Sequence, residues 1–443
     1  MNSWKETELR KVLHVKHGFA FKGEFFSNIG TQIIITPGNF NEAGGFKYTP
    51  GKEKYYTAEY PKEYLCKKRD LIVAMTEQAA GLLGSVALVP VDNVFLHNQR
   101  IGLLTFDRNS YDKLFLYYLF RTKSVREQIA LSSSGSKVKH TSPERIYDVK
   151  VKIPSLSIQK EIGRILYDID SKIELNNKIN QELEQMAKTL YDYWFVQFDF
   201  PNEQGKPYKS SGGKMVYSEE LKRDIPAGWE VGKVSDCCDI VDCLHSKKSD
   251  YKFEQDKYYL LQLENIRDDG LIDLSNKYYV SEEEYFKWTT RIEVKDHDLV
   301  ITNAGRVAGL SQVPKDIIAG IGRNITAIRP IKINPTFLYY TFKGAEMKRQ
   351  IKLNTDTGIF FNSLNVRGIK ELCIVRAPKE IEDKFEQITL PQRRRRELNI
   401  KQNQELTSLR DWLLPMLMNG QVRVKEAEEV LGMVAESELR YGE

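Results

Sequence analysis

The triplet Glu174-Leu175-Asn176 returns as Glu397-Leu398-Asn399, an offset of 397 − 174 = 223 residues, and Asn180-Gln181-Glu182-Leu183 returns as Asn403-Gln404-Glu405-Leu406 at the same offset. Upstream, Phe115-Leu-Tyr-Tyr-Leu-Phe120 returns as Phe337-Leu-Tyr-Tyr-Thr-Phe342, 337 − 115 = 222 residues later. Asp70-Leu71-Ile72-Val73 matches Asp298-Leu299-Val300-Ile301 at 298 − 70 = 228. The offset drifts as loop insertions would make it drift, and it is close to half of the 443 residues. Such a chain is a duplication, and whatever one half folds into, the other must approximate.

Each copy carries the same parts in the same order. About 150 residues of short apolar segments, broken by Gly, Asn, Ser and Pro, predict strands and loops with a few short helices. Asn334-Pro335 starts one such helix, an N-cap followed by Pro in the first turn. A proline (Pro154, Pro378) then introduces a long helical stretch. In the first copy Ile162, Ile169, Leu183 and Leu190 interleave with Ile158, Ile165, Ile179 and Met186 at three- and four-residue steps, a coiled-coil seam interrupted by Lys172 and Asn176. From Ile158 to Val196 this helix is about 58 Å long at 1.5 Å per residue. The second, from about Ile381 to Met418, is more polar, and Pro391 predicts a break or restart. Two such helices pair most simply with each other. A pseudo-twofold relation makes them antiparallel, with the preceding domains at opposite ends.

The fold class is therefore α+β, with expected boundaries 1–152 for the first domain, 153–200 for its helix, 201–228 for a surface linker, 229–377 for the second domain, 378–422 for the distal helix and 423–443 for a tail. Hydrophobic residues at 41% and charged residues at 29% are normal for a folded soluble protein. A net charge of +5 permits a nucleic-acid partner without arguing for one. The start has no apolar core of a signal peptide, no run reaches bilayer length, and five irregularly spaced Cys suit a reducing cytoplasm with no membrane partner.

Several segments resemble the specificity subunit of type I restriction–modification enzymes. Ile173-Glu-Leu-Asn-Asn-Lys-Ile-Asn180 followed by Tyr193-Trp-Phe-Val-Gln-Phe198 is similar to that family's central conserved helix and its end. Ile225-Pro-Ala-Gly-Trp-Glu230 resembles the opening of the second target-recognition domain, Gly18-Phe-Ala-Phe-Lys22 an early loop of the first, and Leu413-Leu-Pro-Met-Leu-Met-Asn-Gly-Gln-Val422 the end of the distal helix. Their order and duplication span the chain; Pro391 with Gln392-Arg-Arg-Arg-Arg396 departs from the pattern. The resemblance implies two target-recognition domains, each reading half of a split double-stranded DNA site through the major groove, with paired helices fixing the gap. It also implies methyltransferase subunits, two of them, docked on the helices and carrying the S-adenosylmethionine chemistry. Restriction subunits, where present, would use ATP and Mg, and this chain itself would hold no cofactor.

Read for chemistry, the residues give no enzyme. The string nearest to an adenine-methyltransferase loop, Asn334-Pro335-Thr336-Phe337, lacks the second Pro and is explained as a helix cap. There is no G-x-x-x-x-G-K-[ST] loop. Glu293-Val-Lys295 and Glu382-Asp-Lys384 are read as chance triplets on solvated surfaces. Cys237, Cys238, Cys243 and His245 lack zinc-ligand spacing and are read as buried thiols, with no metal. Arg393–Arg396 is read as a solvated basic helix start rather than a phosphate contact. The rivals to a recognition subunit are a coiled-coil protein scaffold without DNA binding and a self-sufficient methyltransferase or nuclease. The first leaves the two diverged domains unexplained, and the second lacks its motifs.

Base edges are read by polar or basic loop residues beside small ones. In the first domain these are Thr76, Gln78, Asn98, Gln99, Arg100, Lys137, Lys139 and His140; in the second, Asn303, Arg306, Arg323, Asn324, Asn354, Thr355 and Asn362. Arg100 and Arg323 occupy roughly corresponding places. The aromatic group Tyr191, Tyr193, Trp194, Phe195, Phe198 and Phe200 fits either packing or a partner surface. The partner-docking candidates are Tyr193, Trp194, Phe195 and Phe198, with Trp412, Leu413 and Leu414 on the distal helix.

Overall fold

A computed structural model of the chain describes residues 4–77, 81–135, 138–244, 251, 257–357, 362–427 and 429. It divides into two compact units, Met1–Ile173 with Glu405–Glu443, and Glu174–Gln404. Each long helix begins in one unit and ends in the other.

The duplication is visible strand by strand. In the first unit an antiparallel sheet runs in the order His14–His17, Ile101–Thr105, Leu71–Ala74, Val86–Leu88. In the second the same order is filled by Cys238–Asp242, Ile325–Pro330, Leu299–Thr302, Leu310–Gln312. Leu71–Ala74 and Leu299–Thr302 are central and wholly buried, which is why both read as continuous apolar runs rather than alternating ones. A second small sheet repeats a parallel pairing, Ile33–Ile34 with Phe95–Leu96 and Leu260–Leu261 with Gly320–Ile321. The strand leading into each long helix pairs with the opening strand of its domain: Lys150–Ile153 with Lys5–Glu8, and Cys373–Arg376 with Glu230–Lys233.

The Phe-Leu-Tyr-Tyr repeats are helices, Lys113–Arg121 and Pro335–Lys343. Their N-caps are Asp112, whose side chain accepts from Phe115 N–H, and Asn334, whose side chain accepts from the N–H groups of Thr336 and Phe337. Phe115–Phe120 and Thr336–Phe342 are buried on every side, so both helices are core elements. In the first unit that core joins Ile162, Ile165, Leu166 and Ile169 of the first long helix to Leu406, Leu413 and Leu417 of the second.

The first long helix spans Leu156–Tyr191 and closes in one π-helical turn, Asp192–Val196. The second spans Lys379–Met418 without interruption, so the break expected at Pro391 does not occur. Proline in a helix interior costs about 3 kcal/mol. Here the turns on both sides are anchored, Phe385 and Thr389 before it and Arg393 and Arg396 after it, all buried. Within the second unit the helices run antiparallel: Asn176 Nδ2 donates to Asn403 Oδ1 (2.9 Å), Asn399 Nδ2 donates to Asn180 Oδ1 (2.8 Å), and Tyr191 packs edge-to-face against Phe385. In the first unit Arg410 reaches Asp170 at 2.8 Å with the same antiparallel sense.

The seam is corrected beyond Ile169. Met186 is 58% exposed, and the buried line continues through Asn176, Asn180, Ala187 and Tyr191. The polar interruption at Asn176 is thus a hydrogen-bonded layer of asparagines, the kind of buried polar contact that selects one register. The expected surface linker is also folded. Met215–Ser218 and Arg223–Pro226 form a hairpin, and Phe200 stacks on Tyr208 (4.6 Å) and on Trp229 (5.2 Å).

Candidate nucleic-acid interface

In each unit the central strand ends where three chain segments meet. In the first, Met75 N–H donates to Arg100 O (3.0 Å), Thr141 N–H to Met75 O (2.9 Å) and Glu77 N–H to Lys139 O (2.9 Å), with Thr76 bridged to His140. In the second, Asn303 N–H donates to Asn324 O (2.8 Å), Leu364 N–H to Asn303 O (2.8 Å), and Ala304 is bridged to Ser363. The backbone is repeated while the side chains are not: Thr76 and His140 stand where the second copy has Ala304 and Ser363. By these bonds Arg100 corresponds to Asn324, one residue on from the expected partner Arg323.

The turn carrying Asn98, Gln99 and Arg100 is held by groups that the sequence reading missed. Buried His97 holds the Ile101 carbonyl with Nε2 at 2.8 Å, and burial pushes its pKa down to about 4, so it is neutral near pH 7. Phe19 bridges Asn98, and an added Cβ at Gly18 would stand 2.0 Å from the Asn98 carbonyl oxygen, which is why the Gly-Phe-Ala-Phe motif begins with glycine. Asn98, Gln99 and Arg100 share a cavity of about 320 Å³ with Phe21, Phe26 and Lys54. In the second unit Thr355 and Asn362 line a cavity of about 460 Å³ with Lys348 and Lys352. Basic residues beside polar groups of this kind suit phosphate and base contacts.

Gln99, Arg100, Lys139, His140, Arg323 and Asn362 are exposed; Asn98 and Asn324 are half-buried, Asn324 in the left-handed region at φ +62°. Other candidates are already occupied. Thr76 is buried, with Oγ1 3.1 Å from His140 Nδ1. Asn303 is buried and donates inward to Thr326 Oγ1 (2.8 Å) and Asp242 Oδ1 (3.2 Å). Arg306 pairs with Asp268 (2.7 Å) and the carbonyls of Leu263 and Ile266. Asn354 and Thr355 bond the last carbonyls of their own helix, those of Gln350 (3.0 Å) and Ile351 (2.7 Å). These five shape the loops. Gln78 and Lys137 lie outside the described residues.

Of the docking candidates, Trp194, Phe195, Phe198 and Leu413 are core. Phe195 packs on Phe337 (4.6 Å) and Phe198 on Trp229 (5.4 Å). Tyr193 (38%) and Trp412 (47%) are exposed, and Leu414 is half-buried. Three of the four successive arginines are not a solvated run. Arg393 is buried between Glu397 (2.8 Å) and the Val313 carbonyl (2.8 Å), and Arg394 pairs with Asp296 (3.0 Å). Arg396, 3% exposed, meets Glu184 and donates to the Asp269 carbonyl (2.7 Å). Glu382 is buried rather than solvated, whereas Glu293 is exposed. Cys237, Cys238 and Cys243 are buried, no three metal-ligating side chains cluster among the described residues, and His245 lies outside them. No helix among the described residues is long and apolar enough to cross a membrane.

A family model described as "Type I restriction modification DNA specificity domain" matches residues 1–185. Residues 1–185 thus carry the match to a type I restriction–modification specificity domain, and the second half of the chain repeats the first. The type I restriction enzyme MjaIX specificity subunit of Methanocaldococcus jannaschii is 26% identical over 319 residues, 70% of this chain and 69% of that protein. The EcoBI specificity subunit of Escherichia coli is 23% identical over 389 residues, 84% of this chain and 76% of its own. The crystal structure of the S subunit of a type I restriction–modification system from M. genitalium shares the fold, with a TM-score of 0.58 at 17% identity, covering 94% of this chain and 96% of that one.

Proposed function

We propose that this chain is the DNA-reading subunit of a type I restriction–modification complex, each recognition domain reading one half of a split double-stranded site. The observation that carries the proposal is the repeated three-segment junction whose backbone is kept and whose exposed side chains differ. Two readers with one scaffold and two side-chain sets suit two different half-sites, centred about one helical turn or ~10 bp apart. The helices running from one unit into the other would set the gap. Methyltransferase subunits, two per chain, and restriction subunits would supply catalysis with S-adenosylmethionine, ATP and Mg, while this chain binds no cofactor and performs no chemistry. Among exposed residues, Arg100 and Arg323 have the donor fork that pairs with guanine O6 and N7.

Arg100→Ala and Arg323→Ala should each relax discrimination at base pairs of one half-site only, by about 1–3 kcal/mol. The check is binding of the chain, assembled with its methyltransferase subunits, to duplexes altered in either half. Equal loss across both halves and all sequences would reduce these arginines to phosphate contacts.

A further inference from the structure

The duplication lets one buried group be compared with its own counterpart. In the first unit Asp112, the N-cap of the Lys113–Arg121 helix, donates its backbone N–H to Gln159 Oε1 at 2.9 Å. Gln159 is 1% exposed, and its Nε2 donates to the carbonyls of Pro154 (3.0 Å) and Ser110 (3.3 Å). In the second unit the equivalent N-cap, Asn334, donates its backbone N–H to Glu382 Oε2, also at 2.9 Å. The separation 382 − 159 = 223 is that of the asparagine repeats, and both residues close the same first turn, Gln159 N–H to Ser155 O and Glu382 N–H to Pro378 O. Glu382 is 3% exposed, and its Oε1 makes no hydrogen bond. A carboxyl thus stands where the first copy has an amide, one oxygen in the acceptor's place and the other buried without a hydrogen-bond partner. An ionised carboxylate has no donor for that position; a protonated acid has one.

We propose that Glu382 is carried as a neutral acid, the donor–acceptor equivalent of Gln159, and that its ionisation loosens the seat of the Pro335–Lys343 helix on the second long helix. The second unit then contains a pH-sensitive joint that the amide of Gln159 denies to the first.

The charged and titratable groups around Glu382 pull in both directions. Arg376, at the end of the strand Cys373–Arg376, favours the ionised form, although its Nη2 is engaged by the Lys332 carbonyl (2.8 Å). The backbone N–H groups of Asn334 and Ala377 act the same way, the second standing where the first copy has Pro154, which has no N–H. Asp383, on the same helix, opposes it. Asp383 and Glu386 are themselves held by Asn334 Nδ2 (3.4 and 2.7 Å), and Glu386 also by Thr336 Oγ1 (2.8 Å). Tyr191 of the first long helix and Cys237 stand within electrostatic reach, and ionisation of either would push the same way as Asp383. Burial is the largest effect, and it pushes the Glu382 carboxyl up to about 7. A folded-state pKa above the unfolded one means stability that is complete below the ordinary carboxyl range and lost as pH rises through about 7.

The test is urea unfolding of the full-length chain from pH 5.5 to 8.5, comparing wild type with Glu382→Gln. The ratio of their unfolding constants should shift by about tenfold or more in favour of the variant across that range, since each unit of pKa difference is about tenfold. Parallel pH profiles overturn the proposal. Should Glu382→Gln not fold, the reciprocal Gln159→Glu decides: it should bring the same pH-dependent loss into the first unit, and a profile unchanged from wild type overturns the idea. An infrared spectrum of wild type at pH 6 supplies an independent reading, in which a buried protonated carboxylic acid is expected and its absence again overturns the assignment.

Discussion

Glu184→Ala should cost about 3–5 kcal/mol of stability, among the largest effects of any single substitution in the second unit. Glu184 receives Tyr339 Oη (3.3 Å), Tyr340 Oη (3.2 Å), the Lys343 ammonium and the Arg396 guanidinium. It is the carboxylate that joins both long helices to the Tyr-Tyr helix of the second domain. Its removal leaves two cations behind, Arg396 buried at 3% exposure and Lys343 mostly buried, and the charge left unpaired is what costs. Burial and the Glu184 charge raise the Tyr339 and Tyr340 hydroxyls far above the ordinary range, so both remain donors. The first unit repeats the device around Asp170, which meets Tyr118 Oη (2.7 Å), Arg121 and Arg410 (2.8 Å). The measurement is the urea midpoint of the unfolding of the second unit. Replacing Glu184, Lys343 and Arg396 together by apolar residues of similar size should recover much of the loss, because no charge is then stranded. A loss below about 1 kcal/mol for Glu184→Ala, the range of exposed pairs, would mean that water screens the cluster.

The second large effect concerns the helices as a spacer. One residue inserted after Asn180 turns everything beyond it by about 100° and moves it about 1.5 Å. Asn176 would still meet Asn403, but Glu184, Ala187 and Tyr191 would leave the faces on which they pair with Arg396 and pack near Phe385. Such a chain should lose site-specific binding. Four residues inserted after Asn180, matched by four after Leu398, keep Asn180 opposite Asn399 on one side and Glu184 opposite Arg396 on the other. The helices lengthen by about 6 Å, close to two base pairs. Mapping methylated sites with the partner methyltransferase present should show the gap enlarged by about two base pairs with both half-sites unchanged. An unaltered gap at full activity would separate the helices from the spacing.

Features that rest on local or repeated sequence were legible before the structure: the duplication, the N-cap Asn334, the seam from Ile158 to Ile169, and the polar position Asn176. What failed depended on partners far away in sequence. Nothing near Arg393–Arg396 announces that Glu184 neutralises one of these arginines from 212 residues away. Pro391 is a helix breaker by local rules, and only the buried neighbours on both sides override them. Met186 keeps heptad spacing yet is exposed, because asparagines rather than aliphatic residues continue the buried line. Among the candidate contact residues, loop composition picked out Arg100 and Arg323, both exposed. It could not separate them from Thr76, Asn303 or Arg306, whose polar groups are consumed by partners brought in through strand pairing. His97 carried no signal at all, since a single histidine beside a strand is unremarkable until its ring is seen to hold the turn.

The central claim is that the two copies are separate readers of two half-sites. Its most direct test is a genome-wide methylation map of cells carrying this chain with its methyltransferase subunits, before and after residues 1–152 are exchanged for the corresponding domain of a relative. The account predicts a split motif in which one half changes while the other half and the gap stay as they were. A continuous motif, or a change in both halves together, would contradict it.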